Sequence, residues 1–181
     1  MAAVKLNVYH LRPVLSRDER KYQALVDPVP QWLRLWAKDA VGVYHVGVEV
    51  YGIEFCYGVY SMKNGYMVGG PENGIIAHEP RISGRGCLWR SEVPLGTTSC
   101  SPEQVVAMAR ALGGNRFGRQ DYDRLENNCV DFAGEFLRQL GAEEMPHWCQ
   151  RGLRWYRSAQ ALGALWSCCA PQDADAAELR V

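Results

Sequence analysis

The stretch from Val41 to Tyr60 narrows the possible folds of this chain most. Tyr44, Val46, Val48 and Val50 fall on one side of an extended backbone, and Val43, His45, Gly47 and Glu49 fall on the other. That is the period-two pattern of a β-strand. Tyr51-Gly52 then permits a tight turn into Ile53-Glu54-Phe55-Cys56-Tyr57-Gly58-Val59-Tyr60, so the segment predicts a β-hairpin. Two further strands are expected. Val4-Lys5-Leu6-Asn7-Val8-Tyr9 alternates in the same way, and Gly74-Ile75-Ile76-Ala77-His78-Glu79 precedes the glycine-rich run Ser83-Gly84-Arg85-Gly86.

Helical signals dominate the second half. Ser101-Pro102-Glu103-Gln104 offers an N-cap, a proline at the first helical position and a capping-box glutamine. Val105, Met108, Ala109 and Leu112 would form the inner stripe of that helix, and Gly113-Gly114 is expected to end it. Asn127-Asn128 can cap a second helix, with Val130, Ala133, Leu137 and Leu140 along one face, Phe132 and Phe136 beside it, and Gly141 as its stop. Cys129 then takes the first helical position. Met145-Pro146-His147-Trp148 reads as a turn into a last helix from Leu153 to Trp166. Between the first strand and the hairpin, Arg12 to Lys38 is irregular, and Trp32, Leu33, Leu35 and Trp36 read there as a short helix packed on the body or as a binding rim.

Length and composition bound the function. The 181 residues fit one domain over residues 1–166 followed by a polar tail at 167–181, expected to be disordered. Twenty basic and twenty acidic side chains cancel, so no field of one sign exists to hold nucleic acid or an anionic membrane. No window reaches the ~18 apolar residues of a membrane span. Seven cysteines fall well below the roughly 8–10% that marks a disulfide scaffold, and their odd number leaves one unpaired. The opening Met1-Ala2-Ala3-Val4-Lys5 does not resemble a signal peptide. A reducing cytosolic or nuclear setting is therefore expected, with the cysteines as thiols rather than staples.

A thiol at a helix start lies where unpaired amides and the helix dipole favour negative charge, which predicts a lowered pKa and more thiolate for Cys129. The same amides suit a developing oxyanion. Asp131, at the third helical position, would support the helix start while opposing thiolate formation. His45, mid-strand with Gly47 leaving space beside it, is the candidate general base. Taken alone, a helical cysteine is more often a small buried hydrophobe, and a strand histidine is about as often structural.

Two longer motifs carry more. Tyr44-His45-Val46-Gly47-Val48-Glu49-Val50-Tyr51-Gly52-Ile53-Glu54-Phe55-Cys56-Tyr57-Gly58 closely resembles the histidine motif of the PPPDE thiol peptidases, the DeSI-type desumoylating isopeptidases. Tyr122-Asp123-Arg124-Leu125-Glu126-Asn127-Asn128-Cys129-Val130-Asp131-Phe132 resembles their cysteine motif. Leu6-Asn7-Val8-Tyr9, Gly96-Thr97-Thr98 and Pro146-His147-Trp148 look like family landmarks in the expected order. The resemblance implies a permuted papain-like α+β fold, an antiparallel sheet packed against helices with the nucleophilic cysteine at a helix N-terminus. It also implies Cys129 as nucleophile, His45 as its base, and ubiquitin-like modifier conjugates, of SUMO or ubiquitin, as substrates. One departure stands out: Val130 replaces the asparagine that usually follows the family's cysteine.

The same dyad would serve an S-acyl-protein thioesterase, or more distantly a lecithin-retinol-acyltransferase-like acyl transfer. A non-catalytic module that binds the modifier is the alternative of a different class. No cofactor or metal is expected. His147-Trp148-Cys149 and Cys168-Cys169 lack the paired spacing of a zinc site, and Gly69-Gly70 and Gly84 to Gly86 lack the lysine and threonine of a phosphate loop. His78 reads as a local hydrogen-bonding residue, Cys56 as packing and His10 as the end of a strand. Cys168-Cys169 reads as a solvated helix end, with palmitoylation as its alternative. No third group that would orient His45 is legible.

Overall fold

A computed structural model describes residues 1–11, 44–58, 65–82, 87–123, 125–154 and 157–158. Six strands form one sheet: β1 (Ala2–Leu11), β2 (Tyr44–Val50), β3 (Ile53–Tyr57), β4 (Tyr66–Met67), β5 (Ile75–His78) and β6 (Cys87–Thr98), in the order β4-β5-β3-β2-β1-β6. All the pairings are antiparallel. Helix α1 spans Pro102–Asn115 and α2 spans Cys129–Leu140. A 3-10 turn covers Arg119–Asp121, and residues 147–154 are helical. The chain is thus α+β. The segment holding Trp32 and Trp36, and the tail with Cys168 and Cys169, lie outside the described residues.

The predicted hairpin forms. Tyr51 and Gly52 both take positive φ, 55° and 71°, as a two-residue turn that follows the twist of its strands requires. Val46, Val48 and Val50 then face a core that includes Val105, Ala109 and Leu112 of α1 and Phe132, Phe136 and Leu137 of α2. Phe132 stacks on Phe136 at 5.3 Å, and Tyr57, Phe117 and Phe132 meet edge to face at 5.1 and 5.5 Å. Such ring pairs contribute about 0.5–1.5 kcal/mol each beyond their buried area. The other face of β2 is covered too, because every residue from Tyr44 to Val50 is buried.

Two expectations need correction. α1 does not end at Gly113-Gly114 but continues to Asn115. Gly113 belongs inside the helix because a side chain there would run into the amide of Asn73, which donates to the Arg110 carbonyl at 3.1 Å. The last helix is already formed at residue 147, ahead of the Leu153 start that the sequence suggested. The sequence also hid β6, the longest strand. It lies at the edge of the sheet, only Cys87, Leu95 and Thr98 of its twelve residues are buried, with no period of two between them, and Pro94 interrupts it; proline is tolerated on an edge.

Candidate active site

The start of α2 is fixed by side chains that precede it. Asp123 accepts from the amides of Leu125 and Glu126 at 2.8 and 2.9 Å, and Asn127 donates to the carbonyls of Arg116 and Asp121, both at 2.9 Å. Asn128 then caps the helix. Its Oδ1 accepts from the Val130 amide at 2.8 Å, while Asp131 accepts from the Asn128 amide at 3.0 Å. This reciprocal capping box makes Cys129 the first residue of the helix.

β2 receives that cysteine. β3 pairs with β2 only from Val48 to Val50, which leaves β1 as the ladder partner of Tyr44–Gly47 among the described residues. Cys129 Sγ reaches this half of the strand, 4.0 Å from the main-chain oxygen of Tyr44. The Val46 amide also faces the sulfur. The two main-chain groups belong to the residues on either side of His45.

Both candidate residues are buried, with 5% of Cys129 and 8% of His45 exposed. Burial therefore sets their protonation. It pushes the Cys129 thiol up to about 12, against the favourable Val46 amide, while Cys87 and Asp131 add to the rise. His45 is pushed down to about 4, first by burial and then by nearby His78. Burial thus favours the neutral thiol at Cys129 and the neutral imidazole at His45. This corrects the expectation of an acidic thiol, because desolvation outweighs the helix start in the closed site. Cys149 is likewise pushed up to about 12 by burial.

His45 lies on a polar face that sequence reasoning did not assemble. Tyr9 pairs with His45 across β1 and β2, and their ring centroids are 5.8 Å apart. The Tyr9 hydroxyl donates to the Glu54 carboxylate at 2.7 Å, Asn7 donates to Glu54 at 2.8 Å, and the Arg81 amide donates to it at 3.1 Å. Glu54 is fully buried. Burial raises its pKa, opposed by the hydrogen bonds from Tyr9, Arg81 and Asn7. The space left by Gly47 is filled by this carboxylate, which a side chain at 47 would overlap. The signal was present in the alternation: Asn7 and Tyr9 are the polar-face residues of β1, and Glu54 sits across the hairpin.

The remaining candidates take local roles. His78 Nδ1 lies 2.7 Å from the Glu79 carbonyl and Nε2 lies 3.4 Å from Cys56 Sγ. Cys56 packs with Ile76. The His10 ring lies 5.8 Å from Tyr44, and His147 meets Arg154 at an exposed position. Val130 is buried in the core, so it offers an apolar surface where a polar amide was expected from the family pattern. Among the described residues, five cysteines are free, no cluster of three metal-ligating side chains occurs, and no helix is long and apolar enough to cross a membrane.

Comparison with known proteins matches residues 2–166 to the PPPDE putative peptidase domain. A DeSI-like protein of Arabidopsis thaliana is 28% identical over 167 residues, covering 87% of this chain and 66% of its own length. A desumoylating isopeptidase 1 homolog of Caenorhabditis elegans is 27% identical over 66% of this chain and 34% of its own. A DeSI-like protein of Schizosaccharomyces pombe is 25% identical over 61% of this chain and 51% of its own. The aligned region thus spans from about a third to just under two thirds of these relatives.

Proposed function

Because this chain belongs to the PPPDE peptidase-domain family, we propose that it is a cysteine-dependent isopeptidase that removes SUMO or ubiquitin from lysine side chains of target proteins. Cys129 is the nucleophile and His45 the general base. The observation that carries the reading is the 4.0 Å approach of Cys129 Sγ to the Tyr44 carbonyl, one residue from His45.

In this reading the reaction starts from a neutral thiol at Cys129 and a neutral imidazole at His45. His45 takes the thiol proton as the sulfur attacks the carbonyl of the modifier's terminal glycine, and the dipole of α2 favours the negative charge that develops there. The protonated imidazole then gives its proton to the departing lysine amine, leaving a thioester on Cys129. Water activated by neutral His45 hydrolyses the thioester, releasing the modifier carboxylate and restoring the thiol. No metal or cofactor takes part, and a reducing cytosolic or nuclear compartment suits the thiol. The catalytic domain of this reading covers residues 1–166.

A panel of SUMO and ubiquitin vinyl-sulfone probes and a palmitoyl-thioester substrate tests the assignment. Modifier probes should label wild type and leave Cys129→Ala unlabelled. Turnover of the palmitoyl thioester alone would replace the reading with an S-acyl-protein thioesterase. Modifier binding without labelling would replace it with a binding module.

A further inference from the structure

Asp131 poses an electrostatic problem at the start of α2. Its carboxylate accepts the Asn128 amide and so helps hold the helix start, but a negative charge two residues from Cys129 opposes ionisation of the thiol. Arg157 answers it from beyond the helical segment 147–154. Its Nη1 and Nη2 donate to Asp131 Oδ1 and Oδ2 at 3.1 and 2.8 Å, and its Nε donates to the Leu125 carbonyl at 2.6 Å. One planar guanidinium thus joins the capping carboxylate to the loop that precedes the nucleophile. Such a fork is geometrically selective for a carboxylate, and lysine cannot reproduce it.

Resting on the reading of Cys129 as nucleophile, we infer that Arg157 is a positioning residue for the reaction, balancing the charge of Asp131 and fixing the 125–128 loop. Asp131 can then cap the helix without setting an uncompensated negative charge near the reacting sulfur. The other groups facing the sulfur are Cys87 of β6, Cys56 of β3 and the Val46 amide of β2, with His45 between the two main-chain groups that border it. Asp123 and Glu126 face Arg157 from the loop. Of all these groups, Arg157 supplies a permanent positive charge. The pair is partly exposed, with 34% of the Arg157 side chain and 16% of the Asp131 side chain accessible, so solvent screens part of the effect.

The test is a charge cycle read on the thiol itself. Iodoacetamide labelling of Cys129 is followed against pH by peptide mass spectrometry in wild type, Arg157→Gln, Asp131→Asn and the double variant, with thermal melts run alongside. Arg157→Gln should slow labelling at neutral pH by about threefold to tenfold, the size expected for one uncompensated charge nearby in a partly solvated site. Asp131→Asn should speed it, and the double variant should return close to wild type. A purely structural Arg157 would leave the double variant as slow as Arg157→Gln, and that result overturns the inference. If Arg157→Gln does not fold, Arg157→Met takes its place in the same cycle: recovery of labelling in its double variant with Asp131→Asn supports the inference, and a double variant as slow as the single one overturns it. Labelling needs no substrate. A wild-type protein that cleaves no conjugate would therefore sink the functional reading, whereas a flat labelling cycle in a protein that still cleaves would sink only the role of Arg157.

Discussion

Gly47 and Glu54 occupy one space: the fully buried carboxylate of Glu54 lies where any side chain at position 47 would have to go. The glycine therefore serves the acid rather than the imidazole next to it in sequence. Glu54 is held there by Tyr9, Asn7 and the Arg81 amide, so it has little freedom to withdraw. Gly47→Ala is expected to destabilise the protein by about 1–3 kcal/mol through overpacking, read as a lowered urea midpoint with an unchanged slope. A midpoint equal to wild type would show that the carboxylate can move aside.

Tyr9 links the same carboxylate to the ring of His45. Tyr9→Phe keeps the ring and deletes the hydroxyl, leaving a buried carboxylate short of one donor. A loss of about 1–3 kcal/mol is expected. Chemical denaturation measures it, and a stability gain would contradict the donor role.

The buried neutral His45 makes stability depend on pH in a defined direction. Its folded pKa of about 4 lies below the unfolded value of 6.5, so the unfolded chain binds more protons between those values. Stability contributed by this group is present above pH 6.5 and is lost as pH falls toward 4, by at most ~3 kcal/mol. Glu54 acts in the opposite sense: its raised folded pKa costs stability as pH rises above its unfolded value of 4.5. Urea midpoints from pH 4 to 7 should therefore fall more steeply toward acid in wild type than in His45→Gln. Parallel curves would contradict the burial of a neutral imidazole.

Asn128 caps the helix that presents Cys129. Asn128→Ala frees the Val130 amide and should cost about 1 kcal/mol. Because the cap also sets the position of the sulfur, kcat against a modifier conjugate should fall by more than the change in folded population explains. Equal losses in both would reduce Asn128 to a stability element.

How far the sequence could be read depended on how local each signal was. The β2–β3 hairpin announces itself because its alternation and its Tyr51-Gly52 turn are adjacent in the chain. The capping box of α1 and the asparagine cap of α2 are legible for the same reason. β6 is not, since its mixed exposure at the sheet edge erases the period that buried strands show. Gly113 looked like a helix stop because nothing in its own neighbourhood reveals Asn73 packed against it. The site divides along the same line. Cys129 at a helix start and His45 on a strand could be named from local pattern, but the thiol's pKa depends on burial by distant segments. The Tyr9–Glu54 bond joins residues 45 positions apart, and no single window of the sequence contains it.

The most direct test of the proposed chemistry is turnover of a purified SUMO or ubiquitin conjugate by folded wild type, Cys129→Ala and His45→Ala, with circular dichroism confirming the fold of each. Cys129→Ala should show no cleavage above background, and His45→Ala should lose at least about 100-fold in kcat/KM. A folded Cys129→Ala protein that turns over the conjugate at the wild-type rate would contradict the account.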